Sequence, residues 1–314
     1  MQHEHYAAAR NAAAVVEQDW IGILRLTGSD RIAWLHGMVT NDVEKLRPGE
    51  GCYAAHLTPQ GRLVAQMAVL IDQDAVWLSL ERAAIEKLAA AFDRLIIMED
   101  AIVENVADQY AVIGVLGPLG AKTLEDLLGE PLNLDSPYQH RCLKELRIVR
   151  TELGYDVWAP RSQAGEKLQA IEDCGAVPID HAVWDMIRTE AGLPVYGVDI
   201  DETTTMPELG ERGINYDKGC YIGQEVVAKV KYIGHVNRKF MGFICDGDDL
   251  PAPQSKVRSG EKEVGYITTR VFSPRLGKPI ALGFVSRAAA APGSRVKIVG
   301  KNEITATVAR LPFE

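Results

Sequence analysis

Lys218-Gly219-Cys220-Tyr221-Ile222-Gly223-Gln224-Glu225 marks the point where the chain changes character. Its two glycines permit a tight turn with outward-pointing backbone N–H groups. A helix beginning near Tyr221 puts Cys220 at its positive end, with Lys218 two residues away. Both effects favour the thiolate, so Cys220 is the cysteine expected to be reactive. Cys52, Cys142, Cys174 and Cys245 read instead as small buried hydrophobes. From Lys218 to Lys239 five Lys or Arg residues and His235 stand against one acid, Glu225. That strip reads either as a solvated helix face or as a docking strip for an anionic ligand tail.

Downstream of His235 no helical period survives. Short strands over 240–245, 264–271, 280–285, 295–299 and 303–309 alternate with Gly and Pro. Such a texture predicts a small antiparallel barrel or sandwich. Upstream, a strand over 20–26 leads to a short helix that Ser29 can cap and Gly37 can close. The strands 51–57 and 62–71 flank the hairpin signal Thr58-Pro59-Gln60-Gly61, and an amphipathic helix spans 81–95. The same order of strand, helix, strands, helix returns over 110–174. A further helix, capped by Asp180, ends at Gly192. The organisation predicted is two α+β modules, residues 1–107 and 108–234, followed by a β-barrel over 235–314.

The composition bounds the function. With 314 residues, 47% hydrophobic and 25% charged, the chain can bury a sizeable core. A net charge of −9 opposes general binding to nucleic acid, and no apolar run is long enough for a membrane span. The start, Met1-Gln2-His3-Glu4-His5, lacks the features of a secretory signal, so the cytosol is the expected compartment. Five cysteines without a C-x-x-C pair give neither a disulfide framework nor a local metal ligand set. His36 and His56 read as packed polar residues. The acids Asp199, Asp201 and Glu202 read as a solvated turn.

The octapeptide closely resembles the K-G-C-[FY]-x-G-Q-E signature of the YgfZ family, folate-binding proteins built like the glycine-cleavage T-protein. Arg31-Ile32-Ala33-Trp34-Leu35-His36-Gly37-Met38-Val39-Thr40-Asn41-Asp42 resembles an early stretch of that superfamily. Arg188-Thr189-Glu190-Ala191-Gly192-Leu193-Pro194, Gly197 to Glu202 and Pro207-Glu208 resemble a later one. The resemblance implies an α+β fold of two ferredoxin-like modules and an antiparallel barrel, arranged as a ring around a folate tunnel. Tetrahydrofolate is the implied cofactor. Glu152 matches the glutamate that holds the pterin, and a carboxylate suits two parallel N–H donors. Arg188 matches an arginine of the folate site, and Asn41 is a further candidate contact. Lys218, Lys229 and Lys231 would attract the folate glutamate tail.

One departure is informative. Where T-proteins carry an Asp-Asp pair after the hairpin, this chain has Ala65 and Gln66. Neither side chain can stabilise a cationic amine or pass a proton near neutral pH. The resemblance therefore implies folate binding without glycine-cleavage chemistry, in support of iron–sulfur enzymes, among them radical enzymes that modify tRNA. Cys220 would then be the functional thiol. The alternative is a folate-dependent aminomethyl- or methyltransferase acting on an amine, in which Gln66, or a carboxylate from elsewhere such as Asp42, would have to replace the missing acid.

Overall fold

A computed structural model describes residues 2–314. Contacts group the chain into two compact units. One is formed by the chain up to Asp180 together with Arg212–Glu225, the other by His181–Glu211 and Val226–Glu314.

In the first unit, α1 (Gln2–Asn11) leads to β1 (Ala14–Glu17) and β2 (Ile21–Thr27). Then follow α2 (Arg31–Met38), β3 (Gly51–Leu57), β4 (Leu63–Ile71), β5 (Val76–Glu81), α3 (Ile85–Leu95) and β6 (Ile102–Asn105). The sheet order is β3-β4-β5-β2-β6. Eight of the nine residues of β4 are buried, as a strand packed on both faces requires. The helix α3 covers one face with Ile85, Leu88 and Phe92. A second sheet is built from β7 (Tyr110–Leu116), β8 (His140–Leu143), β9 (Leu146–Arg150), β10 (Gly154–Pro160) and β11 (Val177–Pro178). The helices α4 (Gly120–Leu128) and α5 (Ala164–Asp173) belong to it, and Leu124 and Ile171 pack in its core with Ile113, Ile148 and Val157. Its order is β11-β1-β7-β10-β9-β8. The strand β1 therefore leaves the first module and pairs antiparallel with β7, a correction to a boundary placed at residue 107.

The two sheets share a core of Ile23, Leu70, Trp77, Val112, Val149 and Trp158. Arg147 penetrates it, 4.8 Å from the Trp77 ring, and its charge is met by Asp72 at 2.5 Å. Asp156 on β10 lies opposite Gly114 on β7. A Cβ at Gly114 would come within 2.5 Å of Gln18 Nε2, so the glycine lets that amide cross β7 and donate to Asp156 at 2.6 Å.

The second unit contains α6 (His181–Glu190), and α7 (Gln224–Tyr232) enters it at Val226. Residues 181–211 thus group with the barrel rather than with the second module. The strands β12 (Arg238–Cys245), β13 (Lys256–Ser259), β14 (Lys262–Ser273), β15 (Lys278–Ser286), β16 (Arg295–Val299) and β17 (Glu303–Ala309) close a barrel in the order β12-β15-β14-β13-β16-β17. Neighbouring strands run antiparallel throughout. The predicted barrel is present. A Cβ at Gly265 would lie 2.0 Å from the Phe284 carbonyl oxygen, so glycine alone allows β14 and β15 to approach there.

Several local expectations differ. Ser29 makes no cap, because α2 begins after Asp30, whose side chain also makes no cap hydrogen bond. Gly37 lies inside α2 rather than ending it. The helix α7 begins at Gln224, not Tyr221, so Cys220 stands outside its first turn. Among the described residues no helix is long and apolar enough to cross a membrane.

Asp156 gives a pH-dependent prediction. Burial pushes its carboxyl up to about 6, while the Gln18 hydrogen bond opposes the shift. An unfolded aspartate titrates near 3.9, so folding favours the protonated form. Its contribution to stability is full below about pH 4 and is lost as pH rises through about 6. Asp156→Asn is expected to stabilise the protein by roughly 2 kcal/mol at pH 8, with the gain vanishing below about pH 4. Urea unfolding of both proteins across that range checks it.

Candidate functional site

The segment 212–225 returns to the first sheet and is stitched to the turn after α2. Thr40 donates to the Gly213 carbonyl at 2.6 Å, and the Asn215 N–H donates to the Thr40 carbonyl at 3.0 Å. Gly213 has φ +75, and a Cβ there would meet the Tyr53 ring at 2.6 Å. Only glycine lets the backbone pass so close to that ring. Asn41 fixes the other side: its amide donates to the Tyr53 carbonyl at 2.8 Å and its oxygen accepts from the Asp42 N–H at 2.9 Å.

This close approach builds a cluster that no local spacing in the sequence announces. Arg212 lies with its guanidinium 3.7 Å from the Tyr53 ring centroid. Tyr53 stacks on Tyr138, with ring centroids 6.2 Å apart and an interplanar angle of 27°. The guanidinium donates through Nε to Glu152 Oε1 at 2.8 Å and through Nη2 to Oε2 at 2.5 Å, a two-point fork. It also donates to the Tyr138 hydroxyl at 3.0 Å. The Tyr53 hydroxyl donates to Gln66 Oε1, and Gln66 Nε2 donates to Glu81 Oε1 at 3.2 Å. Burial raises both tyrosine pKa values, which keeps these hydroxyls as donors. The cluster thus offers a planar stacking surface, a carboxylate at its edge, and a neutral amide on Gln66. Ala65 beside it is fully buried.

Lys218 is not a surface cation. It is 6% exposed, and its ammonium donates to the carbonyls of His36 and, at 2.7 Å, Val39. Those carbonyls lie at the end of α2, where backbone acceptors run out of helical partners and a cation also suits the helix dipole. Burial lowers its pKa to about 8, with Asp42 opposing the change. The adjoining Ile222 N–H donates to the Gly37 carbonyl at 3.2 Å. Gly223 has φ +85, and a Cβ there would come within 2.6 Å of the Thr58 carbonyl oxygen. The octapeptide is therefore clamped between α2 and the 58–61 hairpin. Cys220 on this loop is exposed. Of the cysteines expected to be buried, only Cys245 is; Cys52 and Cys174 are partly buried and Cys142 is exposed. Burial pushes Cys52 and Cys245 up to about 12, which makes both inert.

Asp42 is buried beside His36 Nδ1 at 3.5 Å, and the hydrogen bond from Lys45 holds its carboxyl below the usual range. His56 is buried, bonded through Nδ1 to the Met38 carbonyl at 2.7 Å. Lys229 is exposed on α7, and Lys231 pairs with Glu211.

In the second unit Arg188 is 2% exposed and fully engaged. It pairs with Asp185 at 2.6 Å and Asp199 at 2.5 Å, and donates to the Leu193 carbonyl and the Thr269 hydroxyl, both at 3.0 Å. Asp199 also accepts from the Val195 N–H at 3.0 Å and from the hydroxyls of Thr268 and Thr269. It is a buried acceptor, not part of a solvated turn. Every nitrogen of Arg188 is used in holding α6 to β14 and to the 193–199 loop, so it does not present a free fork. Breaking such a buried pair costs about 3–5 kcal/mol, so Arg188→Met should lower the unfolding free energy by about that amount and move the urea midpoint down. An unchanged midpoint with weakened ligand binding would restore the ligand role.

Comparison with known proteins agrees with this architecture. The GCVT N-terminal domain profile matches residues 1–214, and that of the glycine cleavage T-protein C-terminal barrel domain matches 238–313. An aminomethyltransferase from Halothermothrix orenii is 30% identical, covering 99% of this chain and 90% of its own. One from Thermoanaerobacter sp. is 29% identical, with coverages of 96% and 85%. The crystal structure of glycine cleavage system aminomethyltransferase T from Bartonella henselae superposes with a TM-score of 0.91 at 19% identity, covering 100% of this chain and 89% of that one. Two matched domains and a shared fold over the full length have one reading: the chain belongs to the glycine cleavage T-protein family.

Proposed function

We propose that this protein binds tetrahydrofolate and carries out folate-dependent one-carbon chemistry of the aminomethyltransferase type. The observation that supports it best is Glu152 at the edge of the stacked Tyr53–Tyr138 surface. A pteridine is flat and carries two parallel N–H donors on one edge, which this surface and this carboxylate complement. The names of the family's relatives point the same way. The first unit contributes binding and orientation through Tyr53, Tyr138 and Asn41, which holds the Tyr53 backbone. Gln66 is neutral, so transfer from an amine would need another carboxylate. Glu81, 3.2 Å from the Gln66 amide, and the buried Asp42 are candidates.

A second reading is favoured by the exposed thiol of Cys220 and the neutral Ala65–Gln66 pair. Here the chain is a YgfZ-type cytosolic protein that binds folate in support of iron–sulfur enzymes, among them radical enzymes that modify tRNA. Cys220 is its functional thiol, and Lys229 is the exposed cation left to attract a glutamate tail.

Titration with tetrahydrofolate under anaerobic conditions should quench tryptophan fluorescence saturably and raise the melting temperature. Glu152→Gln should weaken binding by about tenfold or more, the worth of one lost charge-assisted contact. No response in the natural protein would sink the folate reading. Conversion of a methylated amine or an aminomethyl-lipoyl carrier to methylene-tetrahydrofolate decides for the transferase. Failure of Cys220→Ser to support cluster-dependent tRNA modification, in cells lacking this protein, decides for the second reading.

A further inference from the structure

The side chain that Glu152 holds has the same hydrogen-bonding face as the ligand proposed for it. A guanidinium presents two parallel N–H donors in a plane, and so does the 2-amino-4-oxo edge of a pteridine. Arg212 uses both carboxylate oxygens of Glu152 and stacks 3.7 Å over Tyr53. We infer that Arg212 is an internal stand-in for the pteridine edge, and that folate binds by exchanging for it at Glu152. This inference rests on the folate reading and adds a specificity-determining residue to it.

Three observations carry the inference. The fork is two-point, so the edge of Glu152 that a pteridine needs is the edge Arg212 already occupies; one carboxylate cannot hold two such partners on the same edge. The guanidinium also covers a face of Tyr53, so the stacking surface and the carboxylate are taken by one side chain. Arg212 is seated by Gly213, whose backbone approaches the Tyr53 ring too closely for any larger residue. The consequence is selection. A flat ligand that stacks but cannot replace both N–H contacts leaves Glu152 unpaired and loses to Arg212. Only a ligand with the full double donor restores what the exchange breaks. Apparent affinity is reduced by the fraction of time Arg212 is seated.

The test compares tetrahydrofolate binding by the natural protein, Arg212→Ala, Arg212→Lys and Glu152→Gln, each checked for folding by circular dichroism. Arg212→Ala should bind about tenfold more tightly than the natural protein, corresponding to a stand-in seated about nine-tenths of the time. Arg212→Lys should also tighten binding, because an ammonium keeps the charge but lacks the planar fork. It supplies the answer if the alanine variant is unstable. Methylguanidinium should compete with tetrahydrofolate in Arg212→Ala and have little effect on the natural protein. Weaker or unchanged binding in both Arg212 variants, with binding by the natural protein that Glu152→Gln weakens, overturns the inference and leaves the folate reading standing. No binding by any of the four overturns the folate reading itself.

Discussion

The guanidinium of Arg212 lies against the Tyr53 ring and is held there by the carboxylate of Glu152. Much of the candidate site follows from the pair. Arg212 reaches Tyr53 only because Gly213 lets the chain pass the ring, and Gly213 is held by Thr40 from the turn after α2. The same return segment continues to Lys218, whose ammonium closes the end of α2. One strand of chain with no regular structure thereby ties β3, α2 and the 58–61 hairpin together. Its anchors are polar and mostly buried, where an unpaired group costs more than a paired one returns.

That asymmetry also separates residues that can serve a ligand from those that serve the fold. Arg188 and Lys218 carry charges that suggest anion binding when read along the chain. In three dimensions each is engaged by acceptors that cannot be left unpaired without destabilising the unit. Glu152 differs because its side chain is 30% exposed and its partner is a mobile type of side chain, not backbone. Cys220 differs because nothing covers it enough to bury it. Exchange at the surface of a rigid clamp is affordable where exchange in the core is not.

The sequence reveals the barrel because its strands are punctuated by glycines and prolines that also set its tight contacts, as at Gly265. It reveals the hairpin at 58–61 and the amphipathic α3 for similar reasons, since local chemistry there agrees with the fold. It hides β1, β8 and β11, strands of two to four residues whose pairing is decided by distant partners. The departure of β1 to the second sheet has no local signal at all. The sequence also hides α1, which is polar and alanine-rich, without an apolar stripe. The site divides in the same way. Glu152 emerges from resemblance and Cys220 from the octapeptide, whereas Tyr53, Tyr138 and Arg212 lie so far apart in sequence that only folding brings them together. The one local hint at Arg212 is the glycine that follows it.

The substitution at Gln66 can be understood through its neighbours. The Tyr53 hydroxyl donates to the amide oxygen, and the amide nitrogen donates to Glu81. A carboxylate at position 66 would accept from Tyr53 equally well but would face Glu81 with like charge, and one of the two would have to take up a proton. A neutral amide removes that conflict and fixes the direction of both hydrogen bonds. It also withdraws one negative charge from beside Tyr53 and leaves Glu81 as the carboxylate bonded to the amide. The negative charge of Glu152 is matched by a fork of N–H donors. The balance between holding a flat double donor and stabilising a positive intermediate is therefore set by residues 66, 81, 152 and 212 together.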